Sequence, residues 1–410
     1  MNVSAIKRIL TCIAALPFLP FWHFQKLLKR DPNLWLFGST NSNTDSDNCY
    51  TLFQYVNKNY REVRTVWVTK QKSVYDKMRS EGYDNIEMSN TFRGKMACLR
   101  AGVEFISVGP AETNKKYING IRQLLFWHSM LLKLIGKDNE KFLHRNISKR
   151  EKAINAFEQF SMPYLFNLKP ERTFISSDFF TPMFASAFEI KPETILPIGQ
   201  PRNDVFFSET TEDIINQINA KYNNPTKIIY MPTFRDNLRN AGKQFNPFNN
   251  FGFDQKKFTD LLESNNIVFI YKCHNHDGMT NINNFSDRFV LLTPEKYLDT
   301  YTVLKDVDIL MTDYSGVYFD FLLTKKPIIL APFDIEEYQK MRPFYYDYYE
   351  NIEGCVIHDW DEFIEAIKEH KYSFPSEKVC KKYNNYQDGN NCERILEYVK
   401  AYLYSASSAN

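Results

Sequence analysis

Short apolar runs separated by polar, helix-length intervals dominate this chain. Leu34-Trp35-Leu36-Phe37-Gly38-Ser39 reads as a buried strand ending in a Gly-Ser turn, followed by a polar stretch from Thr40 to Asn48 and a helix over Tyr50 to Asn59. Thr65 to Thr69, Val103 to Val108 and Thr173 to Ser177 read as further strands. Runs that are apolar throughout, rather than alternating, belong to strands covered on both faces of a parallel sheet. The strand–helix alternation predicts a doubly wound α/β unit over residues 31–193.

A second α/β series follows. Thr194 to Ile198 reads as a strand running into the tight turn Gly199-Gln200-Pro201-Arg202-Asn203-Asp204, and the domain boundary is placed there. Lys227 to Met231, Ile267 to Tyr271, a short Phe289 to Leu292, Val307 to Met311 and Pro327 to Ala331 are the strands of a second unit over residues 194–375. Tyr301 to Lys305, Asp361 to His370 and Cys392 to Tyr404 read as helical, and residues 376–410 as a terminal helix with a disordered tail from Ser405. Two facing Rossmann-like units with C-terminal helices are the expected architecture.

The stretch Val307 to Phe321 is the most informative. A buried strand ends in the cap-type residues Thr312, Asp313 and Ser315, Gly316 permits close backbone approach, and a helix from Val317 to Leu323 stops before Lys326-Pro327. Such a turn presents backbone N–H groups to an anion, although an ordinary βα connection looks the same. His128 at the end of the run from Gln123, Arg202, Arg235, His274 and Ser315 all follow apolar strands. All therefore fall at carboxyl ends of sheets, where open α/β sheets bind ligands. Lys133 and Lys137 add positive charge beyond His128. Two such edges facing each other suit a phosphate ester carrying a nucleotide.

Composition narrows the field. At 410 residues, with 43% hydrophobic and 24% charged content, the chain has room for two globular domains. A net charge of +2 argues against bulk electrostatic binding of nucleic acid. The seven cysteines are scattered and never spaced C-x-x-C, which speaks against a disulfide framework or zinc ribbon and for a reducing compartment. Cys273-His274-Asn275-His276-Asp277 is dense in metal-ligand types, yet no distant Cys/His pair completes a site, so no metal is expected. Phosphate-loop, dinucleotide and Ser-nucleophile signatures are absent from the sequence.

Residues 1–30 form a basic–apolar–basic segment: Lys7-Arg8, the run Ile9 to Phe24, then Lys26 to Arg30. No small-x-small cleavage site follows the run, and Pro17 and Pro20 interrupt a span that is short for crossing a bilayer. A segment lying in the membrane interface, with Trp22 and basic flanks at the headgroups, is the adopted reading; a helix packed on the domain surface is the alternative.

Several of these stretches together resemble the CDP-glycerol glycerophosphotransferases of teichoic-acid and related polymer synthesis. Phe126-Trp127-His128-Ser129 with Leu132-Lys133 and Ile135-Gly136 is similar to the family's LWHG-x-x-L-K-x-x-G. Gly199-x-Pro201-Arg202-Asn203-Asp204, Pro232-Thr233-Phe234-Arg235 and Lys272-x-His274 follow in order. Thr312-Asp313-Tyr314-Ser315-Gly316 through Asp320 resembles TDYSS-x-x-x-D, and Asp334-x-Glu336-Glu337-Tyr338 comes after it. Leu36-Phe37-Gly38 with Ser46-Asp47-Asn48 extends the likeness toward the N-terminus, so that it covers residues 33–395.

The resemblance implies a GT-B fold and transfer of a polyol phosphate from CDP-glycerol or CDP-ribitol to an acceptor hydroxyl on a polysaccharide or lipid-linked polymer, with no cofactor. It implies His128 as general base, with Ser129 and Lys133 on the acceptor side. Arg202, Arg235, Lys272 and His274 would neutralise the pyrophosphate, Thr312, Ser315 and Gly316 hold phosphate, and Asp320 fix the donor. It places the protein in the cytoplasm, peripheral on the inner face of a bacterial membrane. Two departures stand out: the glycine after the histidine is Ser129 here, and the second serine of TDYSS is Gly316. Both bear on which donor and acceptor are used. A GT-B enzyme moving a sugar from a nucleotide donor is the alternative activity, and a non-enzymatic binding scaffold the alternative class.

Overall fold

The computed structural model describes residues 3–39, 48–109, 111–143, 148–166, 168–209, 211–233, 235, 245–272, 285–292 and 300–407. Two all-parallel sheets organise it. The first contains β1 (Asp31–Phe37), β2 (Arg64–Thr69), β3 (Ile86–Met88), β4 (Ala101–Ile106), β5 (Arg122–Leu125), β6 (Pro170–Phe174) and β7 (Ile195–Leu196) in the order β3-β2-β1-β4-β5-β6-β7. The second contains β8 (Thr226–Met231), β9 (Ile267–Lys272), β10 (Phe289–Leu292), β11 (Ile309–Thr312), β12 (Ile328–Leu330) and β13 (Cys355–Val356) in the order β10-β9-β8-β11-β12-β13. Strand order reverses between β1 and β4 in the first sheet and between β8 and β11 in the second. A crevice therefore opens beyond the carboxyl ends of each of those pairs.

The expected boundary at residue 194 needs correcting. Ile195 and Leu196 pair with Thr173 and Phe174 of β6, so this strand is the edge of the first sheet and not the start of the second. The terminal helix also belongs to the first half: it spans Asn391–Ser407, and Cys392, Ile395, Leu396 and Val399 are buried in that core. It continues past Tyr404, where a disordered tail was expected.

Aromatic content is spent on the sheets. Phe37, Phe105, Phe126 and Phe174 stack in sequence across β1, β4 and the ends of β5 and β6, with centroid spacings of 4.7, 6.0 and 5.2 Å. Tyr398 of the terminal helix closes the row edge-on against Phe174. In the second half, Trp360 is buried among Phe248, Phe253, Phe258 and Phe269. A third core joins the halves: Met130, Leu131, Leu132, Phe180 and Phe184 pack with Tyr314, Tyr318, Phe319 and Tyr383. Backbone pairing reinforces it, since Leu134 N donates to Pro343 O at 2.9 Å and Tyr345 N to Leu132 O at 2.8 Å.

The N-terminal segment is a helix, Val3–Ala15, continued through short 3₁₀ and α turns to Leu27. Ser4–Leu27 is long and apolar enough to cross a membrane by length and composition alone. One face is pinned to the fold. Arg8 pairs with Glu151 and, at 2.7 Å, with Glu158, while Cys12 and Trp22 are buried with Met162 and Tyr164. Gln25 is buried too, donating to Lys116 O at 2.8 Å and accepting from Asn119 N at 3.1 Å.

Glu104 on β4 is wholly buried and accepts hydrogen bonds from Thr113 Oγ1 and Gln123 Nε2. Burial pushes its pKa up to about 7, against the pull of those bonds and of Arg30. The folded state thus binds a proton more tightly than the unfolded chain does, and stability falls as pH rises from about 4.5 to about 7. Glu104→Gln is expected to flatten that slope, measured by urea unfolding across the same pH range. Leu396→Ala should cost about 2–5 kcal/mol in the same assay, because it opens a cavity between the terminal helix and the first sheet.

Candidate active site

A cavity of about 370 Å³ lies where the carboxyl ends of the two sheets face each other. From the first half it is lined by the segment after β5, including His128, Ser129 and Lys133, and by Arg202. From the second half come Met231, Pro232 and Thr233 after β8, Tyr314, Ser315, Gly316 and Val317 after β11, and Tyr301, Tyr338 and Arg342. The second-half wall is the β8/β11 strand-order reversal, the place the fold reserves for a ligand.

The strand-end rule therefore brings His128, Ser129, Lys133, Arg202, Ser315 and Gly316 together. Thr312 stops short of the cavity: its Oγ1 donates to Met231 O at 2.8 Å and knits the ends of β8 and β11. Lys272 ends β9, one strand away from the reversal, and is not among the lining residues. His274, with the rest of Cys273 to Asp277, lies outside the described residues.

His128 is exposed at the cavity wall and stacks loosely on Trp127, with centroids 4.5 Å apart. Its position is enforced. Trp127 has φ 59°, a left-handed conformation that is costly for a bulky residue, so surrounding contacts must hold it there. Asn48 donates to Trp127 O at 3.1 Å and to Gln200 Oε1 at 2.6 Å, and accepts from Arg202 N at 3.2 Å. Gly199 makes the adjoining turn possible, with φ 106° and no room for a side chain beside Asn391.

Arg202 and Asp320 differ from the expectation that they hold donor phosphate. Arg202 Nη2 donates to Asp320 Oδ2 at 2.8 Å and Nη1 to His128 O at 2.6 Å, with side-chain exposures of 5% and 1% for the ion pair. Asp320 also accepts from Asn203 Nδ2 at 3.0 Å and Tyr301 OH at 2.7 Å. The carboxylate is consumed by the junction between the halves, and the Arg202 guanidinium holds the histidine's backbone against the second half.

Arg235 also stands behind the site instead of in it. It donates to Asp313 Oδ2 at 2.8 Å and to both oxygens of Asp334 at 2.8 and 2.7 Å. It packs against the rings of Tyr314 and Tyr338, 5.0 and 4.9 Å away. Burial opposes its charge, but Asp313 and Asp334 overcome that and hold its pKa well above the ordinary value. Asp313 in turn accepts from Thr233 N at 2.8 Å, and Tyr314 OH donates to Asp334 at 2.9 Å. The cluster is a rigid backing for Thr233 and the Tyr314-Ser315-Gly316 turn.

The helix after that turn is short, Val317–Phe321, tightening into a 3₁₀ turn over Leu322–Thr324. It has little dipole to offer an anion. The polar groups that line the cavity around this turn are hydroxyls and two cations, Lys133 from the first half and Arg342 from the second. Arg342 escaped the sequence reading because it follows the helix Ile335–Met341 and no strand. Tyr301 and Tyr338 lie within helices, Thr300–Asp306 and Ile335–Met341, so no strand end marks them as cavity residues.

Asp320→Ala would leave the Arg202 charge buried without its partner. A loss of about 3–5 kcal/mol of stability is expected in chemical unfolding, together with a large fall in activity.

Residues 21–401 match the family model described as CDP-Glycerol:Poly(glycerophosphate) glycerophosphotransferase. The chain is 30% identical over 238 residues to the teichoic acid ribitol-phosphate polymerase TarL of Staphylococcus aureus, a match covering 55% of this chain and only 40% of TarL. It is 27% identical over 396 residues to the Staphylococcus aureus teichoic acid glycerol-phosphate transferase, covering 91% of this chain and 95% of that protein. Among solved structures, the wall teichoic acid polymerase TagF superposes with a TM-score of 0.66 over 99% of both chains at 20% identity, a likeness of fold.

Proposed function

The chain belongs to the CDP-glycerol:poly(glycerophosphate) glycerophosphotransferase family, and from that premise we propose that it transfers a polyol phosphate from a CDP-polyol to an acceptor hydroxyl. The donor is CDP-glycerol or CDP-ribitol, the acceptor a surface glycan or lipid-linked polymer, and CMP is released. The observation that carries this reading is the cavity between the sheets. It has the size of a small-molecule site, and His128 and Ser315 reach it from different halves.

In the reaction, His128 takes the proton of the acceptor hydroxyl as its oxygen forms a bond to the donor's polyol-bearing phosphorus. The bond from that phosphorus to the CMP oxygen breaks. Lys133, Arg342 and the Ser315 hydroxyl offset charge on the pyrophosphate as it shifts toward CMP. Lys272, at the end of the strand beside β8, is assigned to the CMP side, and His274 keeps the pyrophosphate role that the family resemblance implies. Arg202, Asp320 and Arg235 act indirectly, by holding the walls that carry these groups.

Purified protein incubated with CDP-glycerol, CDP-ribitol and nucleotide sugars, each with candidate acceptors, is expected to release CMP and leave phosphorus in the product. Release of UMP or UDP, or transfer of a phosphate-free sugar, would overturn the proposal. His128→Ala should lower kcat by about 10²- to 10⁴-fold, the range for loss of a general base.

The protein acts on the inner face of the cell membrane, attached peripherally by its N-terminal segment. Ile6, Leu10 and Ile13 form an outward row on the first helix, 39%, 59% and 52% exposed, while Arg8 and Cys12 face the fold. Phe24 and Leu27 are exposed beyond it, next to Lys26 and Lys29. An apolar strip flanked by lysines suits the headgroup boundary of an anionic bilayer. Leu10→Glu combined with Ile13→Glu should abolish co-sedimentation with phosphatidylglycerol vesicles without lowering the melting temperature; undiminished binding would refute the attachment.

A further inference from the structure

Gly316 has no conformational reason to be glycine. Its backbone is right-handed, with φ −67° and ψ −11°, a conformation open to any residue. Its reason is steric and comes from the other half of the molecule. A Cβ at this position would fall on Ser129 Oγ, lie 2.8 Å from Ser129 Cβ and 3.4 Å from Met130 O. Ser129 thus reaches across the cleft into the space that a side chain at 316 would fill.

Both residues line the cavity, as do their chain neighbours His128 and Ser315. Ser129 Oγ donates to Met130 O at 2.9 Å; rotation about its Cβ–Oγ bond would turn that single proton from the carbonyl to a donor phosphate, which can only accept. Thr233, on the same cavity, keeps a buried hydroxyl with no partner among the described residues, the condition of a wall built to meet a ligand. The two departures from the family pattern are these same two positions. Where the pattern has glycine after the histidine and serine at the end of the turn, this chain has the pair exchanged.

We propose that Ser129 is a donor-positioning residue supplied by the first half, delivering to the Ser315-Gly316 turn the hydroxyl that a serine at 316 would have carried, and that Gly316 is small in order to admit it. The proposal rests on the CDP-polyol reading of this cavity. It makes recognition of the donor phosphate depend on both halves of the molecule. The side chain next to His128 then contacts the donor as well as framing the acceptor side.

The test is a substitution cycle read by calorimetric binding of CDP-glycerol, CDP-ribitol and CMP, with melting temperature measured alongside. Gly316→Ser alone forces overlap with Ser129 and should weaken binding of the better CDP-polyol by about tenfold or more. The doubles S129G/G316S and S129G/G316A relieve the overlap equally and differ only by the hydroxyl. The first should bind within about threefold of wild type and the second about tenfold more weakly, as expected for one hydrogen bond to a charged phosphate. CMP, which lacks the transferred phosphate, should not distinguish the two doubles.

Equal CDP-polyol affinities for the two doubles would overturn the proposal while leaving the reaction intact. So would a cost of Gly316→Ser that is undiminished by S129G, because it would show that the two positions do not interact. Failure of wild type to bind either CDP-polyol would instead strike the functional reading, and this inference with it. The melting temperatures of the same cycle would still report whether the steric exchange is real.

Discussion

Arg202 and Asp320 are withdrawn from water together at the junction of the two halves, and much of the site's geometry depends on that pair. Isolating either charge there would be costly, so the pair survives only with its remaining valences filled. Asn203, Tyr301 and the His128 carbonyl fill them. The consequence is positional. One guanidinium fixes the backbone of the histidine in the first half to the helix after β11 in the second, and it does so independently of any ligand.

A second charge cluster repeats the logic one layer back. Arg235 between Asp313 and Asp334 braces Thr233 and the Tyr314 turn, so the second-half wall is held by ion pairs that do not line the cavity. Around both clusters the halves share an apolar core and a stretch of backbone pairing. Such a junction ties the opposing walls of the cleft together, the preorganisation that the proposed transfer between two substrates would use.

The arginines illustrate how far strand-end reasoning reaches. Arg202 and Arg235 do follow strands, as the apolar pattern indicated, and Arg202 does reach the cavity wall. Their partners were not legible. Asp320 lies 118 residues from Arg202, and Asp313 and Asp334 lie 78 and 99 residues from Arg235. Nothing local in the chain distinguishes an arginine destined for a phosphate from one destined for a buried carboxylate. Arg342, Tyr301 and Tyr338 show the converse: they enter the cavity from helical segments, where no strand end marks a ligand-facing position. The edge strand Ile195–Leu196 was seen but assigned to the wrong sheet, because a two-residue run carries no information about which neighbour it pairs with.

The run Val307 to Phe321 was identifiable from sequence as a buried strand, a polar turn and a helix, because burial on both faces of a parallel sheet demands an unbroken apolar stretch. Pattern also determined the two α/β series and the carboxyl-end location of His128 and Ser315. What each of these residues faces was decided only by tertiary structure. Gly316 and Ser129 occupy a single space from different halves, and a steric exclusion across 187 residues of chain leaves no trace in the local pattern of either segment.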